Sequence, residues 1–443
     1  MRQTRKWIIG TLVIAGIIFA LSPGPRHLIE NPDRWELREQ FVYLTGVSAL
    51  SMMVLSTLIS VRIPWINRQM SGLDKAYVVH KWTGILSTIL IIFHWLGEKI
   101  PHWLIDWEII PNPGELSDGT EFSALEINLF QSGVILVEYT FYIIIVLVIV
   151  ALFKKVPYHI FRKTHKIFPV VFLVAAYHGA TAQMKEHWLS SPAGYLLLVL
   201  ITIGVSAALI SLFQRIGISR KITASIKEIE YHENKILDIR LTCPTKKIIH
   251  KPGQYAFLRF ENNTEPHPFT IASSGDDPHA MRFAIKSLGN FTDQLSNLIK
   301  PGQVVEIEGP YGEFKFEAPA ERQIWIAGGI GITPFVARLE YLVNRGGAKE
   351  PVDFWYSTRG DRNNIFPDNL EYLCKQSGVN FYHLNSMQQE YLTVEIMHQV
   401  VGSFGNVSIW FCGPPAFSKC LLKGLDAYDF DRKLFYVEDF NMR

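Results

Sequence analysis

Six apolar runs crowd the first half of this chain and leave few folds open to it. They lie at Trp7–Leu21, Phe41–Val61, Val78–Gly97, Val134–Phe153, Ile167–Ala180 and Pro192–Phe213. A helix needs about 20 residues to cross a bilayer core, and most of these runs are that long. Inside lipid every backbone N–H and C=O must be satisfied within the protein, so such runs fold as helices. Ile167–Ala180 is short, and a helix starting near Ile160, its basic residues snorkelling to the interface, would complete it. The first run opens with Arg2, Arg5 and Lys6 before a short apolar core. That pattern fits a retained helix, which is the expectation, or a cleavable signal peptide.

Charge gives these runs a direction. Basic residues gather at the N-terminus, at Arg62/Arg68/Lys75, at Lys154/Lys155/Arg162/Lys163/Lys166 and at Arg215/Arg220/Lys221. The stretch Glu98–Glu126 instead carries Asp106, Glu108, Glu115, Asp118 and Glu121. The positive-inside rule then puts the N-terminus and everything after Phe213 in the cytoplasm, with six spans between. Across all 443 residues, 43 Lys+Arg against 41 Asp+Glu leave a net charge of +2, which offers no field for nucleic acid. The four cysteines (Cys243, Cys374, Cys412, Cys420) all fall in the second half without C-x-x-C spacing. Neither a disulfide framework nor a thiolate metal site is suggested, and free thiols there fit a reducing compartment.

Two of the spans hold histidines in pairs: His80 and His94 in the third, His165 and His178 in the fifth. Ionisable groups inside a membrane are costly and mark function by default, and imidazole is a common axial ligand of haem iron. Over the interval from His80 to His94 a helix rises about 21 Å and returns to within roughly 40° of the same face. Two histidines so placed can ligate one haem near each leaflet, each haem completed from the partner helix. His165 and His178 are one residue closer, about 140° out of register in an ideal helix, with Pro169 between them. The alternative is a haem-free membrane reductase whose histidines form a proton path.

After residue 220 the rhythm changes. Lys221–Glu230, Ile236–Leu241, Gln254–Phe260, Phe269–Ala272, Met281–Lys286 and Val304–Glu308 read as strands of an antiparallel β-barrel. From Gln323 strands and helices alternate: Ile324–Ala327, a helix from Thr333 to about Arg345, then strands at Val352–Tyr356, Asn380–Leu384 and Ser408–Cys412. Such alternation predicts a parallel sheet of βαβ units.

At the level of motifs the chain resembles the ferric reductase and NADPH oxidase superfamily in its compact bacterial form. Gly72-Leu-Asp-Lys-Ala-Tyr-Val-Val-His80, with Gly84 and His94 following, is similar to that family's third span, and His165 with His178 to its fifth-span pair. The resemblance implies an inner b-type haem on His80 and His165 and an outer one on His94 and His178. In oxidases of the family a histidine often follows the outer ligand by about one turn. This sequence has Glu98 there. Arg34 and Arg38, near the second span's outer end, are placed to attract an anionic chelate or superoxide, or to serve as interface anchors.

His267-Pro-Phe-Thr-Ile-Ala-Ser273 resembles the flavin signature of ferredoxin-reductase-type domains. The chemistry asks for an aromatic over the isoalloxazine, a hydroxyl near its reactive nitrogen and a group facing phosphate. Phe269, Thr270 and His267 supply them, beside Pro268. Lys286-Ser-Leu-Gly-Asn-Phe-Thr292 puts Gly289, Phe291 and Thr292 at a predicted helix start, where N–H groups can hold the pyrophosphate. Gly309-Pro-Tyr-Gly-Glu-Phe314 matches the family's turn at the end of the barrel. In Ile326-Ala-Gly-Gly-Ile-Gly-Ile-Thr-Pro-Phe335, Gly328, Gly329 and Gly331 admit a second pyrophosphate, and Thr333 and Pro334 open a helix. Ser357 and Arg359, with Arg362 nearby, suit the 2′-phosphate of NADPH, with NADH as the alternative. By the resemblance, Cys412, Gly413 and Pro414 lie beside the nicotinamide, and Phe440 stacks on the flavin. Met442 stands where a second aromatic would be sought.

The expected protein is thus a six-span membrane α-helical bundle (1–215) binding two haems. An antiparallel β-barrel FAD domain (216–320) and an α/β parallel-sheet NAD(P)-binding domain (321–443) follow it. The expected activity is transfer of electrons from cytosolic NAD(P)H across a bacterial inner membrane. The acceptor stays open between oxygen, a ferric chelate and a periplasmic protein.

Overall fold

The structure is a computed structural model that describes residues 2–30, 32–111, 123–153, 155–182, 191–232, 235–244, 246–260, 265–360 and 370–438. Lys154, Glu115, Asp118, Glu121, Arg362, Phe440 and Met442 lie outside the described residues. The chain divides into two compact units, Met1–Ile216 and Gly217–Arg443.

The first unit is all helix: α1 (Arg2–Leu21), α2 (Gly24–Glu30), α3 (Arg34–Ser60), α4 (Pro64–Gln69), α5 (Leu73–Asp106), α6 (Ala124–Leu152), α7 (Tyr158–His165), α8 (Phe168–Ala182) and α9 (Pro192–Leu212). Starts follow local chemistry. Asp33 accepts N–H bonds at the head of α3, Ser123 and Glu126 form a capping box on α6, and Ser191 with Pro192 opens α9. Among the described residues α1, α3, α5, α6 and α9 are long and apolar enough to cross a membrane. The short fifth run behaves differently from the expectation of one helix begun near Ile160. The chain forms two helices, broken at Lys166–Ile167, and α8 has 15 residues. Pro169 explains the break: it has no N–H to give the carbonyl four residues back, which is that of His165, the last residue of α7.

Helix α3 lies innermost, packed on α1, α5, α8 and α9. Leu50 and Val54 of α3, Phe172 and Ala176 of α8, and Leu197 and Ile201 of α9 share one apolar cluster. Hydroxyls in these helices are satisfied by their own turns, as in Thr45 to the Phe41 carbonyl (2.8 Å) and Thr83 to that of Val79 (3.0 Å).

The second unit holds two sheets. Strands β1 (Lys221–His232), β2 (Ile236–Thr242), β3 (Tyr255–Phe260), β4 (His267–Thr270), β5 (Ala280–Lys286) and β6 (Val304–Tyr311), with α10 (Asn290–Leu298), form an antiparallel sheet ordered β4-β3-β6-β1-β2-β5. This corrects the expected closed barrel. Among the described residues the edges β4 and β5 share no ladder and meet at an isolated bridge, Ile271 to Phe283, just past β4. Strand β4 has four residues, and Pro268 in it has no N–H for a second ladder.

The other sheet is parallel throughout, ordered β11-β10-β7-β8-β9. It consists of β7 (Arg322–Gly328), β8 (Val352–Thr358), β9 (Val379–Asn385), β10 (Val407–Cys412) and β11 (Phe435–Val437), interleaved with α11 (Thr333–Val343), α12 (Leu370–Ser377), α13 (Val394–Val401) and α14 (Pro415–Leu425). Strand β11 is not expected from the sequence, because three residues are too few for a periodic signal. Trp325, Phe354 and Trp410 fill one face, and Ile326, Trp355 and Phe411 the other. A parallel sheet covered on both faces has this all-apolar strand pattern.

Candidate functional site

Two groups of side chains gather chemistry, one in each unit. In the helical unit the four histidines form two facing pairs. His80 of α5 lies against His165, with ring centres 5.9 Å apart and planes at 68°. His94 of α5 lies against His178 of α8, at 6.2 Å and 77°. The break before Pro169 lets His165 and His178 face the same partner helix although they are not in helical register. Two imidazoles on opposite sides of one metal ion, each bonded at about 2.0–2.1 Å, have ring centres roughly 6 Å apart. Both pairs match that separation.

The nitrogens are arranged for the same purpose. Nδ1 of His80 lies 2.9 Å from the Ser56 carbonyl, and Nδ1 of His94 lies 2.9 Å from the Val42 carbonyl. A carbonyl only accepts, so each Nδ1 carries the proton and donates it, which leaves Nε2 as a bare donor to metal. Nδ1 of His165 has no hydrogen-bond partner among the described residues, and Phe161 and Phe168 flank its ring at 5.0 and 4.9 Å. Gly46 makes room for His94: a Cβ there would stand 3.0 Å from its Cε1 and 3.1 Å from its Nδ1. Sequence reasoning missed Val42, Gly46 and Ser56, since a backbone contact with a residue 24 or 52 positions away leaves no motif.

One turn beyond His94, Glu98 is paired with Arg38 of α3, which also donates to the Gly97 carbonyl at 3.2 Å. The arginine expected to attract an anion is therefore held by a carboxylate. Among the described residues Arg34 bonds through its backbone N–H, which donates to Asp33 Oδ1 at 2.7 Å.

In the second unit a cleft of about 790 Å³ opens along the ends of both sheets. Pro268, Phe269 and Thr270 of β4 line it, with Lys286 from the end of β5 and Thr292 from α10. Gly328 lines it from the end of β7, Gly329 and Gly331 from the turn after it, Thr333 from the start of α11, Ser357 from β8, Arg359 from just past β8, Cys412 from the end of β10, and Gly413 and Pro414 from just past it. The volume is within the usual range for small-ligand sites. Four sequence-predicted residues are not among those lining it. His267 stacks on Phe291, ring centres 3.7 Å apart and planes at 6°; Gly289 precedes α10; Pro334 is buried in the first turn of α11.

Local geometry explains the placements. The Thr292 hydroxyl accepts from the Leu288 and Gly289 N–H groups at 2.9 and 3.2 Å, so it caps α10. The turn carrying Arg359 is tied down by Asn385, whose Oδ1 accepts from Gly360 N at 3.1 Å, and by Ser386, which donates to the Thr358 carbonyl at 3.0 Å. Burial holds the Cys412 thiol well above its ordinary range, and the neighbouring negative charge of Glu438 adds to this. Burial also raises the Tyr356 phenol. Neither group is an anion at neutral pH, so neither repels a phosphate. Glu438 is buried and lines the cleft, and it too was missed, following a strand too short to detect.

Both units have recognisable counterparts. A ferric reductase like transmembrane component matches residues 45–176, and an FAD-binding domain matches residues 221–315. The electron transfer component of 2-halobenzoate 1,2-dioxygenase from Burkholderia cepacia is 27% identical over 229 residues, 49% of this chain and 67% of that protein. Two superoxide-generating NADPH oxidase heavy chains of Dictyostelium discoideum are also similar. One is 25% identical over 319 residues, covering 63% of this chain and 44% of its own length. The other is 24% identical over 334 residues, covering 60% of this chain and 61% of its own length. This chain therefore spans less than two thirds of either oxidase heavy chain. Among solved structures, the FAD/NAD-binding domain of nitric oxide dioxygenase from Vibrio cholerae O1 biovar El Tor aligns at 19% identity and TM-score 0.43, over 49% of this chain and 98% of that one.

Proposed function

We propose that this chain, which belongs to the ferric reductase and NADPH oxidase superfamily, carries electrons from cytosolic NAD(P)H through FAD and two b-type haems to an acceptor across the membrane. It is a membrane protein and an NAD(P)H oxidoreductase, with a transmembrane component joined to an FAD-binding domain. The observation that carries the haem reading is the pair of facing histidine couples, each spaced for one metal ion and each anchored through Nδ1 on one side. When bound, FAD divides the two electrons of a hydride and the haems pass them singly.

The chain's own residues do the positioning. His80 with His165 and His94 with His178 would hold the two haems, one near each end of the roughly 21 Å of α5 that separates His80 from His94, and the haems would supply single-electron carriers across the core. Phe269, lining the cleft, would cover the flavin ring, and Thr270 would supply a hydroxyl near its reactive nitrogen. His267, Pro268, Lys286, Gly289, Phe291 and Thr292 complete the flavin's surroundings. Gly328, Gly329, Gly331, Thr333 and Pro334 seat the dinucleotide, Ser357 and Arg359 favour NADPH over NADH, and Cys412, Gly413 and Pro414 border the nicotinamide. Phe440 is the proposed flavin stacker. The working division is 1–215 for the transmembrane domain, 216–320 for FAD and 321–443 for NAD(P). The basic loops support a reading with the last two, and the N-terminus, on the cytoplasmic side of a bacterial inner membrane.

Oxygen, giving superoxide, and a ferric chelate are the acceptors in this reading. The Arg38–Glu98 pair favours a second one, delivery to a periplasmic protein, over an anionic chelate, because it neutralises the cation such a chelate would seek. Purified protein given NADPH separates them. Superoxide-dismutase-sensitive cytochrome c reduction marks oxygen, and ferric-chelate reduction under argon marks iron. Flavin and haem that stay reduced under both conditions, and are oxidised only on adding periplasmic extract, mark a protein acceptor and would overturn the small-molecule reading.

A further inference from the structure

Helices α3 and α5 run antiparallel, and α3 meets both α5 histidines in the same way. Val42 and Ser56 are spaced as His94 and His80 are, so one constant register brings each Nδ1 to 2.9 Å from an α3 carbonyl. The two contacts nevertheless differ. At His80 the Ser56 hydroxyl also lies 3.0 Å from Nδ1. Because Nδ1 already donates to a carbonyl, the hydroxyl oxygen serves as a second acceptor for the same N–H. At His94 the residue in the matching place is Val42, whose side chain has no acceptor, and Gly46 one turn along seats the ring sterically.

We propose that Ser56 is a positioning residue that gives transfer between the two histidine pairs its direction. The inference rests on the haem reading above. An imidazole N–H shared between two acceptors gains basicity at Nε2, which stabilises ferric over ferrous iron and lowers the potential. His80 carries this second acceptor and His94 does not, so Ser56 pulls the potential at the first pair down relative to the second. In such a transfer one electron would leave the iron held by His80 and His165, oxidising it, and reduce the iron held by His94 and His178, downhill toward the outer end. Ser56 touches neither substrate nor iron and acts only through His80.

Potentiometric titration of the full-length protein in detergent, followed in the b-type haem bands, tests this. The wild type should show two waves, the lower one missing in His80→Leu. Ser56→Ala should raise that lower wave, leave the upper one in place and keep two haems per chain. Ser56→Thr retains the oxygen and should restore the wild-type position; Ser56→Cys, with a weaker acceptor, should shift the wave in the same direction by less. Gly46→Ala should disturb only the upper wave. If two haems are retained and Ser56→Ala moves neither wave, or moves both equally, the inference is overturned while the haem reading stands. A wild-type protein without b-type haem overturns both.

Discussion

His94→Leu is expected to halve the haem content of the purified protein and to cut reduction of any external acceptor by more than about 100-fold, beyond what loss of an outer-sphere partner costs. His94 faces His178 across 6.2 Å, its Nδ1 is committed to the Val42 carbonyl, and Gly46 leaves its ring just enough room. Leucine fills much of the same volume, so helix packing survives while the metal bond is lost. NADPH-driven flavin reduction should be unchanged, because it depends on residues of the other unit. His102, exposed two turns further along α5, supplies the control, and His102→Leu should keep both haems. Haem per chain and external-acceptor rates in proteoliposomes check the prediction. A His94→Leu protein with its full haem spectrum and transmembrane activity would sink the ligand assignment.

The second large effect is expected in the nucleotide cleft. A Cβ on Gly331 would fall on the Cys412 carbonyl and within 3.0 Å of Gly413 N. Neither atom can swing away as a side chain can, because Cys412 is laddered to Ala327 in the parallel sheet. Overpacking of this kind costs about 1–3 kcal/mol, and because it distorts the dinucleotide turn itself, Gly331→Ala should slow NADPH-driven flavin reduction about 10-fold or more. FAD content should remain, since β4 and α10 are untouched. Gly329→Ala makes the useful contrast: its φ of +56° strains any side chain, but no atom lies within 4 Å of the added Cβ, so the loss should be smaller. Anaerobic stopped-flow bleaching of the flavin, with released flavin counted separately, reads both variants. Equal effects of the two substitutions would show that backbone conformation, and not the approach to β10, sets the turn.

What the sequence made legible was whatever repeats or clusters. The apolar runs, the switch to short strands after residue 220, the regular spacing of His80 and His94 and the glycine turn after β7 are periodic or contiguous. All can therefore be read from one chain. Non-local geometry was hidden. The mismatch between His165 and His178 and the proline between them are legible, but only the helix break at Lys166–Ile167 shows how both rings face α5. The open sheet was misread as closed because six strands of suitable length say nothing of whether β4, with Pro268 inside it, can pair on both sides. Glu438, Ser56 and Gly46 gained meaning only from neighbours far along the chain. Arg38 is legible in the sequence as an anion attractor or an interface anchor, because nothing there links it to Glu98.

The most direct test of the central claim is a reduced-minus-oxidised difference spectrum of the purified membrane protein, with haem quantified per chain. Bis-histidine b-type bands and two haems per chain, reducible by NADPH through the flavin, are the expected result. A flavin that reduces fully in a protein without b-type bands would contradict the claim and favour histidines that serve a proton path.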